Sequence, residues 1–220
     1  EVGYDNVAVG MDYKTATIIV AMDKQSEEIA NSVHVNKSDE EIGAGDQGLM
    51  IGYATDETES YMPVTHDFCN RLIRRLEQCK KKKLLSWIRP DAKVQVTVEY
   101  KKEGHVITPL RVETILISCQ HNEDISNEDL REDLKKHVIQ HAIPAEWLKE
   151  TKFVLNPSGK FVIGGPTGDA GLSGRKIIAD TYGGWGRPGG GAFSGKDPSK
   201  VDRSVAYAPR WIAKKCCRAH

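Results

Sequence analysis

The sequence predicts a mixed α/β (α+β) fold, and three segments carry that prediction. Residues 65–83 and 126–141 repeat apolar side chains with the helical period. Residues 87–120 alternate apolar and polar side chains in two arms, as a β-hairpin does. With 220 residues, of which 39% are hydrophobic, the chain can bury one large core or two small ones around these elements.

The two helices are defined by their apolar stripes and by the chemistry of their ends. In the first, Phe68, Leu72 and Leu76 recur every fourth residue, and lysines fill the last turn, where the helix dipole favours cations. The second begins with Ser126 and Asp129 in the pattern of a capping box. Both segments therefore predict amphipathic helices that each bury one face.

Short apolar runs predict further strands. They are TATIIVAM at residues 15–22, LMIGYAT at 49–55, and two short strands within 153–165 around the turn NPSG. A polar segment, residues 31–42, lacks a sustained period and predicts an exposed connector, with a mobile lid over a site as the alternative. The dipeptide Asp197-Pro198 predicts the start of a last helix, which Pro209 kinks or ends early.

Charge and cysteine content exclude several classes of protein. Lys+Arg and Asp+Glu are balanced at 31 each, which argues against binding nucleic acid or an anionic membrane through overall charge. The five cysteines are an odd number without a CxxC pair, which predicts reduced thiols in an intracellular protein. His137 and His141 have metal-ligand spacing, but no HExxH pattern accompanies them and they do not predict a metal site.

The stretch from Phe161 to Asp202 is rich in glycine and contains several fixed charges. Dense glycine indicates close approach of the backbone to another group, or positive φ, and the interspersed cations favour a polyanion such as phosphate. A flexible linker is the alternative, although linkers rarely contain apolar runs such as IIAD. The cations of the stretch include Arg175, Lys176, Lys196 and Lys200.

One nucleotide-binding motif is nearly matched within this stretch. Residues 190–196 satisfy GxxxxGK, but Asp197 replaces the Ser or Thr that should bind magnesium, and no strand precedes the glycines. The sequence therefore does not predict a P-loop NTPase. No GxGxxG follows a predicted strand with an acidic residue about 20 residues further on, so a dinucleotide-binding fold is not predicted either. An unrelated ATPase that uses this loop remains a weaker hypothesis.

Four segments carry a resemblance to a known family. GAGDQGLMIGYATDET, RPDAKVQVT, FVIGGPTGDAGLSGRKIIADTYGG and GGGAFSGKDPSKVDRS occur in this order with the family's spacing. Through them the chain resembles S-adenosylmethionine synthetase (methionine adenosyltransferase) over essentially its whole length. The resemblance implies similar domains of β-sheet flanked by helices on one face, pseudo-threefold in the full family member, and it implies that the family's N-terminal and C-terminal ends are lacking.

The resemblance also implies a division of the chain. Residues 1–30 correspond to the end of the first domain, and residues 31–42 to the mobile active-site loop. Residues 43–158 correspond to the central domain, and residues 159–220 to the start of the C-terminal domain with its phosphate-binding loop.

The activity implied by the resemblance is transfer of the adenosyl group of ATP to the sulfur of L-methionine. The triphosphate is then cleaved to pyrophosphate and phosphate. The implied cofactors are Mg²⁺ and K⁺, and the implied assembly is a homodimer, or a homotetramer built as a dimer of dimers, with the active site between subunits. A cytoplasmic location follows, with no nucleic acid or membrane as partner.

The resemblance assigns roles residue by residue. The catalytic residues are the polyphosphate-binding cations Lys93, Arg175, Lys176 and Lys196, together with Asp46 near the sulfur, where a carboxylate stabilises the developing sulfonium. The other ATP-binding residues are Asp91, Ala92, Lys160, Phe161, Asp169 and Ala192, with Phe161 stacked on adenine. The methionine-binding residues are Gln25, Asp169 and Lys200, and the magnesium ligand is Asp202. The alternative function is that of a non-catalytic truncated paralogue or fragment that only binds nucleotide or dimerises.

Overall fold

The computed structural model describes residues 2–219, which fall into two compact units. The first, called here the sheet unit, comprises Glu1–Ala16 and Val64–Gly171. The second, called the glycine-rich unit, comprises Thr17–Pro63 and Leu172–His220. Each unit is therefore built from two separate stretches of the chain.

The regular elements are as follows in chain order. The strands are β1 (Asp5–Asn6), β2 (Met11–Asp12), β3 (Ile88–Glu103), β4 (Val106–His121) and β5 (Lys152–Leu155). The α-helices are α1 (Glu27–Val33), α2 (Val64–Lys81), α3 (Asn127–Asp133), α4 (Gln140–Ala142), α5 (Gly165–Gly168), α6 (Ile177–Asp180) and α7 (Val201–Arg218). A π-helical segment (Leu134–Ile139) joins α3 to α4, and short 3₁₀ turns occupy Val7–Val9, Asp39–Glu41 and Ala145–Trp147.

The main sheet has the order β3-β4-β5, with β3 and β4 antiparallel and β5 parallel to β4. Gly104, at the hairpin turn, has φ of 62°, a conformation that glycine adopts without the steric cost a side chain would bring. This confirms the predicted hairpin. A separate small pair, β1 with β2, was not predicted because two-residue strands carry no periodicity.

Helices cover one face of this sheet. Phe68, Leu72 and Leu76 of α2 are buried against the inward residues of β3 and β4, such as Val96 and Ile115. Burial of each such side chain contributes roughly 1.5–3 kcal/mol. The alternate β3 residues are exposed, so the strand has one covered and one open face. The mixed α+β fold is confirmed, and both predicted amphipathic helices are present within about two residues of their expected bounds.

Three of the predicted strands do not form. In the run at residues 15–22, Ile18, Ile19 and Val20 are 72–87% exposed and no described strand pairs with them. Residues 49–55 are also without strand pairing; Gly52 instead approaches the backbone of α7 at Pro209. Residues 161–165 make a single backbone contact with β4 and then turn into α5. A high β-propensity produces a strand only where a partner strand offers its hydrogen bonds.

The predicted helix ends also need correction. Residues 31–42 are not uniformly irregular, because α1 reaches Val33, which is buried. The last helix begins at Val201 with Lys200 as N-cap, three residues later than Asp197-Pro198 predicts. Pro209 lies inside this helix, which continues to Arg218. Among residues 2–219, no helix has the length and apolar character needed to cross a bilayer.

Candidate functional site

In the sheet unit, the side chain of Asn156 continues the hydrogen bonding along β4 beyond the end of β5. Regular pairing stops at Leu155, and the Asn156 N–H donates to the Ile117 carbonyl at 2.8 Å. The Asn156 amide then accepts from the Cys119 N–H and donates to the Cys119 carbonyl, both at 2.9 Å. Asn156 is 2% exposed and has φ of 42°, which asparagine tolerates better than most residues. Its side chain thus takes the place of the next strand residue.

Two residues further along β4, His121 holds the returning chain. The His121 N–H donates to the Phe161 carbonyl at 3.0 Å, and the Phe161 N–H donates to His121 Nε2 at 2.9 Å. His121 Nδ1 lies 2.7 Å from the Asn122 carbonyl, which can only accept, so Nδ1 carries the proton and the ring is the neutral Nδ1–H tautomer. The ring is fully buried. Phe161 is therefore fixed at the edge of the sheet.

Asp91 anchors the glycine segment that follows Phe161. Its Oδ2 accepts from the Gly165 N–H at 2.9 Å, while buried Gln120 donates to the Val162 carbonyl at 2.9 Å. A Cβ on Gly164 would stand only 2.8 Å from the Phe161 ring. Glycine is required there because the Phe161 ring and Gln120 occupy the space.

The other predicted residues of the sheet unit are more exposed. Lys93 lies on the open face of β3, opposite Ser118 of β4. Lys160 is exposed, with its Nζ 3.6 Å from Glu123. Asp169 is exposed and caps the end of α5. Asp91 and Phe161 are thus brought into one hydrogen-bonded segment, whereas Lys93, Lys160 and Asp169 lie around it without bonding to each other.

In the glycine-rich unit, the phosphate-type loop brings a cation and a carboxylate together. Lys196 Nζ lies 2.6 Å from Asp202 Oδ2, and both side chains are about two-thirds buried, with 28% and 34% exposure. A Cβ on Gly191 would overlap the Asp202 carboxylate. The Arg203 guanidinium donates to the Lys196 carbonyl, which holds the loop against α7. The glycine at 191 therefore makes room for the ion pair.

The segment with Arg175 and Lys176 is tied to this loop. The hydroxyl groups of Ser173 and Ser194 are hydrogen-bonded at 2.9 Å. Gly174 has φ of 84°, and a Cβ there would lie 3.1 Å from Ala192. Arg175 and Lys176 are both exposed. The structure thus brings the two predicted cationic segments of this unit next to each other.

Asp197 shapes the chain between the loop and α7. Its carboxylate accepts from the Ser199 N–H at 2.8 Å and from Lys200 Nζ at 2.9 Å. Hydrogen bonds from Ser199 and then Lys200 lower the pKa of Asp197 well below its ordinary value. The carboxylate that was predicted to cap a helix starting at Pro198 is therefore used in this turn. The helix begins three residues later, at Val201.

A cleft of about 680 Å³ lies beside this turn, within the glycine-rich unit. Its lining includes Lys200 and Asp197, together with His34, Asp39 and Gly43. The polar connector predicted as a lid therefore lines the same cleft as Lys200. Such a cleft has the size of a small-molecule site.

Asp46 lies in the turn that follows this connector. It is exposed, and its Oδ1 accepts from the Gln47 N–H at 2.7 Å. Since residues 49–55 form no strand, Asp46 does not stand at the entrance of one. A Cβ on Gly48 would lie 3.3 Å from Val201, so this turn runs close to the start of α7. Gln25, in contrast, lies in an exposed segment without regular structure and joins none of these contacts.

The acidic residues that the structure describes do not form a metal-binding cluster. Across the described part of the chain, no three His, Cys, Asp or Glu side chains come together as metal ligands. Magnesium is held in proteins by one or two carboxylates together with substrate phosphates. Asp202 offers one carboxylate, which Lys196 already occupies, so the donor set does not by itself fit a resident metal ion.

Comparison with protein families shows which family the chain belongs to. A family model described as "S-adenosylmethionine synthetase, central domain" matches residues 41–161, more than half of the chain. The chain belongs to the S-adenosylmethionine synthetase family. A second model, described as the C-terminal domain of S-adenosylmethionine synthetase, matches residues 163–220. The two matches confirm the predicted family. S-adenosylmethionine synthetases are transferases of S-adenosylmethionine biosynthesis that use Mg²⁺ and K⁺.

Sequence reasoning missed the residues that hold the S-adenosylmethionine synthetase motifs in place. His121 positions Phe161, Asn156 bonds to the backbone of Cys119, and Arg203 holds the backbone of Lys196. Arg210 donates to the carbonyls of Ser60 and Tyr61 at 2.8 and 3.0 Å. No local sequence pattern indicates these roles for His121, Arg203 or Arg210. Only Asn156, in an NPSG turn, could have been noted as tolerant of positive φ.

A substitution in the glycine loop tests the space argument. Gly191→Ala should lower the affinity for a non-hydrolysable ATP analogue by about tenfold or more, because the new methyl group displaces Asp202 and frees Lys196 from its position. Isothermal titration calorimetry measures this change. The matched control is Gly190→Ala, since a Cβ there meets no atom within 4 Å. Equal affinities for the two variants would contradict the assignment.

Proposed function

We propose that the protein is a methionine adenosyltransferase, which transfers the adenosyl group of ATP to L-methionine. Family membership supports the reaction class. The observation that carries the proposal is the Lys196–Asp202 pair, held at 2.6 Å in a loop whose glycine admits the carboxylate. A cation on glycine-shaped backbone is what a departing polyphosphate requires.

The reaction explains why cations are needed. The lone pair of the methionine sulfur forms a bond to C5′, while the C5′–O bond breaks and its electron pair leaves with the triphosphate. Water then cleaves the triphosphate to pyrophosphate and phosphate. The leaving group gathers about four negative charges, so preplaced cations lower the barrier as it departs.

The proposed roles follow the residues one by one. The groups that bind polyphosphate are Lys93, Arg175, Lys176 and Lys196. The residues that bind the nucleoside are Asp91, Ala92, Lys160, Phe161, Asp169 and Ala192. For methionine we assign Gln25, Asp169 and Lys200, with Asp46 near the sulfur. The nucleoside assignment is supported by two hydrogen bonds, from the Gly165 N–H to Asp91 and from the Phe161 N–H to His121, because together they fix the segment that carries Phe161.

The cofactor and assembly assignments are part of the same proposal. Asp202 would bind Mg²⁺ only together with substrate phosphate, since it is a single carboxylate. The homodimer or dimer of dimers, the cytoplasmic location and the domain boundaries after residues 30, 42 and 158 also remain predictions. The family models place their own boundary between residues 161 and 163.

Two measurements on the same preparation test the function. Calorimetric titration with a non-hydrolysable ATP analogue reports binding, and chromatography after incubation with ATP, methionine, Mg²⁺ and K⁺ reports S-adenosylmethionine. Product that requires methionine supports the proposal. Binding without product supports the non-catalytic alternative. Phosphate release that does not depend on methionine supports an unrelated ATPase.

A further inference from the structure

We propose that a cavity in the sheet unit binds an amphipathic organic anion, with an aromatic or aliphatic body and one sulfonate or carboxylate group. The cavity has a volume of about 510 Å³ and lies between the last turns of α2, the start of β3 and the residues around β1. Ligand pockets for small molecules have volumes of roughly 300–1,000 Å³. The assignment is independent of the proposed adenosyl transfer.

The body of such a ligand would meet apolar walls. Leu76 and Ile88 form one part of the lining, and Ile73, which is 39% exposed, stands at the opening. The rings of Tyr4 and Tyr13 contribute the aromatic part. A cavity lined by both aliphatic and aromatic side chains favours a flat or chain-like apolar group.

Tyr4 is a fixed wall of this cavity. Its carbonyl accepts from the Tyr13 N–H at 3.1 Å, and its phenol lies against Gly165 so closely that a Cβ there would overlap it. Burial, and then the charge of Asp91, raise the pKa of the Tyr4 phenol, which keeps it a neutral hydrogen-bond donor. Because the ring is held by both segments, the cavity does not need to be opened by a ligand.

Most of the cations at the cavity already have partners. Lys80 Nζ donates to the carbonyls of Val2 and Gly3 at 3.2 and 3.0 Å. Lys81 is paired with Glu77 at 2.6 Å. Arg89 donates to the Asn122 side chain at 2.9 Å and to the Val162 carbonyl at 3.2 Å. These groups line the cavity, but their existing partners limit how far they can bind an anionic ligand.

Lys83 differs from these cations. It lines the same cavity, and within residues 2–219 its ammonium group has no hydrogen bond or ion pair. Its backbone has φ of 54° just beyond the end of α2, which fixes the direction in which the side chain leaves the helix. A cation without a partner at the mouth of an apolar cavity favours one anionic group at that position.

Of the residues of the sheet unit that are proposed to bind the nucleotide, Ala92 also lines this cavity. Ala92 lines the cavity and packs against the core, whereas its neighbour Lys93 is exposed on the open face of β3. Successive residues of a strand project to opposite faces.

A pair of fluorescent probes tests the charge requirement. The anionic probe is 8-anilinonaphthalene-1-sulfonate, and its neutral counterpart is N-phenyl-1-naphthylamine. Lys83→Glu should lower the affinity for the sulfonate probe by about tenfold or more, which is the loss expected for one hydrogen bond to a charged group. It should change the affinity for the neutral probe by less than about twofold. The matched control is Lys102→Glu, an exposed lysine at the tip of the hairpin.

A second pair of variants tests the location. Ile73→Glu should abolish most of the sulfonate binding, whereas Ile107→Glu, at a hairpin position of similar exposure (44%), should leave it unchanged. Equal effects of Lys83→Glu and Lys102→Glu would overturn the proposal. So would full binding in Ile73→Glu, or an equal loss of both probes in Lys83→Glu.

Discussion

We expect Lys196→Ala to lower the rate of S-adenosylmethionine formation by at least about 100-fold, as loss of one preplaced contact to a developing anion does. The corresponding loss of barrier stabilisation is about 2.7–4 kcal/mol. We expect this large effect on the rate because the Lys196 side chain is about two-thirds buried and paired with Asp202 at 2.6 Å, and because Arg203 holds its carbonyl. The measurement is turnover at saturating ATP and methionine.

The control for this variant lies on the same part of the chain. Lys215→Ala removes a lysine from the last turn of α7, where the ammonium lies 5.7 Å from the centre of the Trp211 ring, and should leave turnover within about twofold. Circular dichroism of both variants checks that the fold is retained. Near-normal turnover in Lys196→Ala would remove Lys196 from the mechanism, whatever the activity of the control.

The largest effect on stability is expected for Asn156→Leu, at about 3–8 kcal/mol of unfolding free energy. The substitution leaves the buried N–H and carbonyl of Cys119 without partners, each at a cost of about 1–3 kcal/mol. It also puts a leucine at φ of 42°, where a Cβ-bearing side chain is disfavoured by roughly 1–2 kcal/mol. Urea denaturation followed by circular dichroism measures the change.

Two further variants separate these contributions. Asn156→Gly removes both hydrogen bonds but tolerates the backbone conformation, so it should retain most of the loss caused by leucine. Asn70→Leu, at an exposed position of α2, should change the unfolding free energy by about 0.5 kcal/mol or less. If Asn156→Gly costs less than about 1 kcal/mol, the bridge to Cys119 does not stabilise the sheet.

Elements with a strong local period were predictable from the sequence. The α2 helix and the β3–β4 hairpin each have a stripe or an alternation that repeats over many residues. Such a pattern leaves only one way to bury the apolar side chains, so tertiary contacts agree with it. The capping of α3 by Ser126, which accepts from the Asp129 N–H at 3.0 Å, was predictable for the same local reason.

Short apolar runs were not predictable in this way. The TATIIVAM run has high β-propensity, yet Ile18 and Val20 are exposed and unpaired with any described strand. Conversely, Asn156 continues a sheet ladder with its side chain, which no propensity scale anticipates. In both cases the outcome depends on which backbone groups lie alongside, and these come from distant parts of the chain.

The same distinction between local sequence patterns and tertiary contacts applies to the candidate site. The sequence by itself determined the glycine loop, its cations and the family to which the chain belongs, because these reside in contiguous motifs. Only the tertiary structure decided that Gly191 makes room for Asp202, that Arg203 holds Lys196, and that His121 fixes Phe161. The physical reason is that steric room and hydrogen-bond partners are properties of neighbouring atoms in space, and residues 121 and 161 meet only after folding.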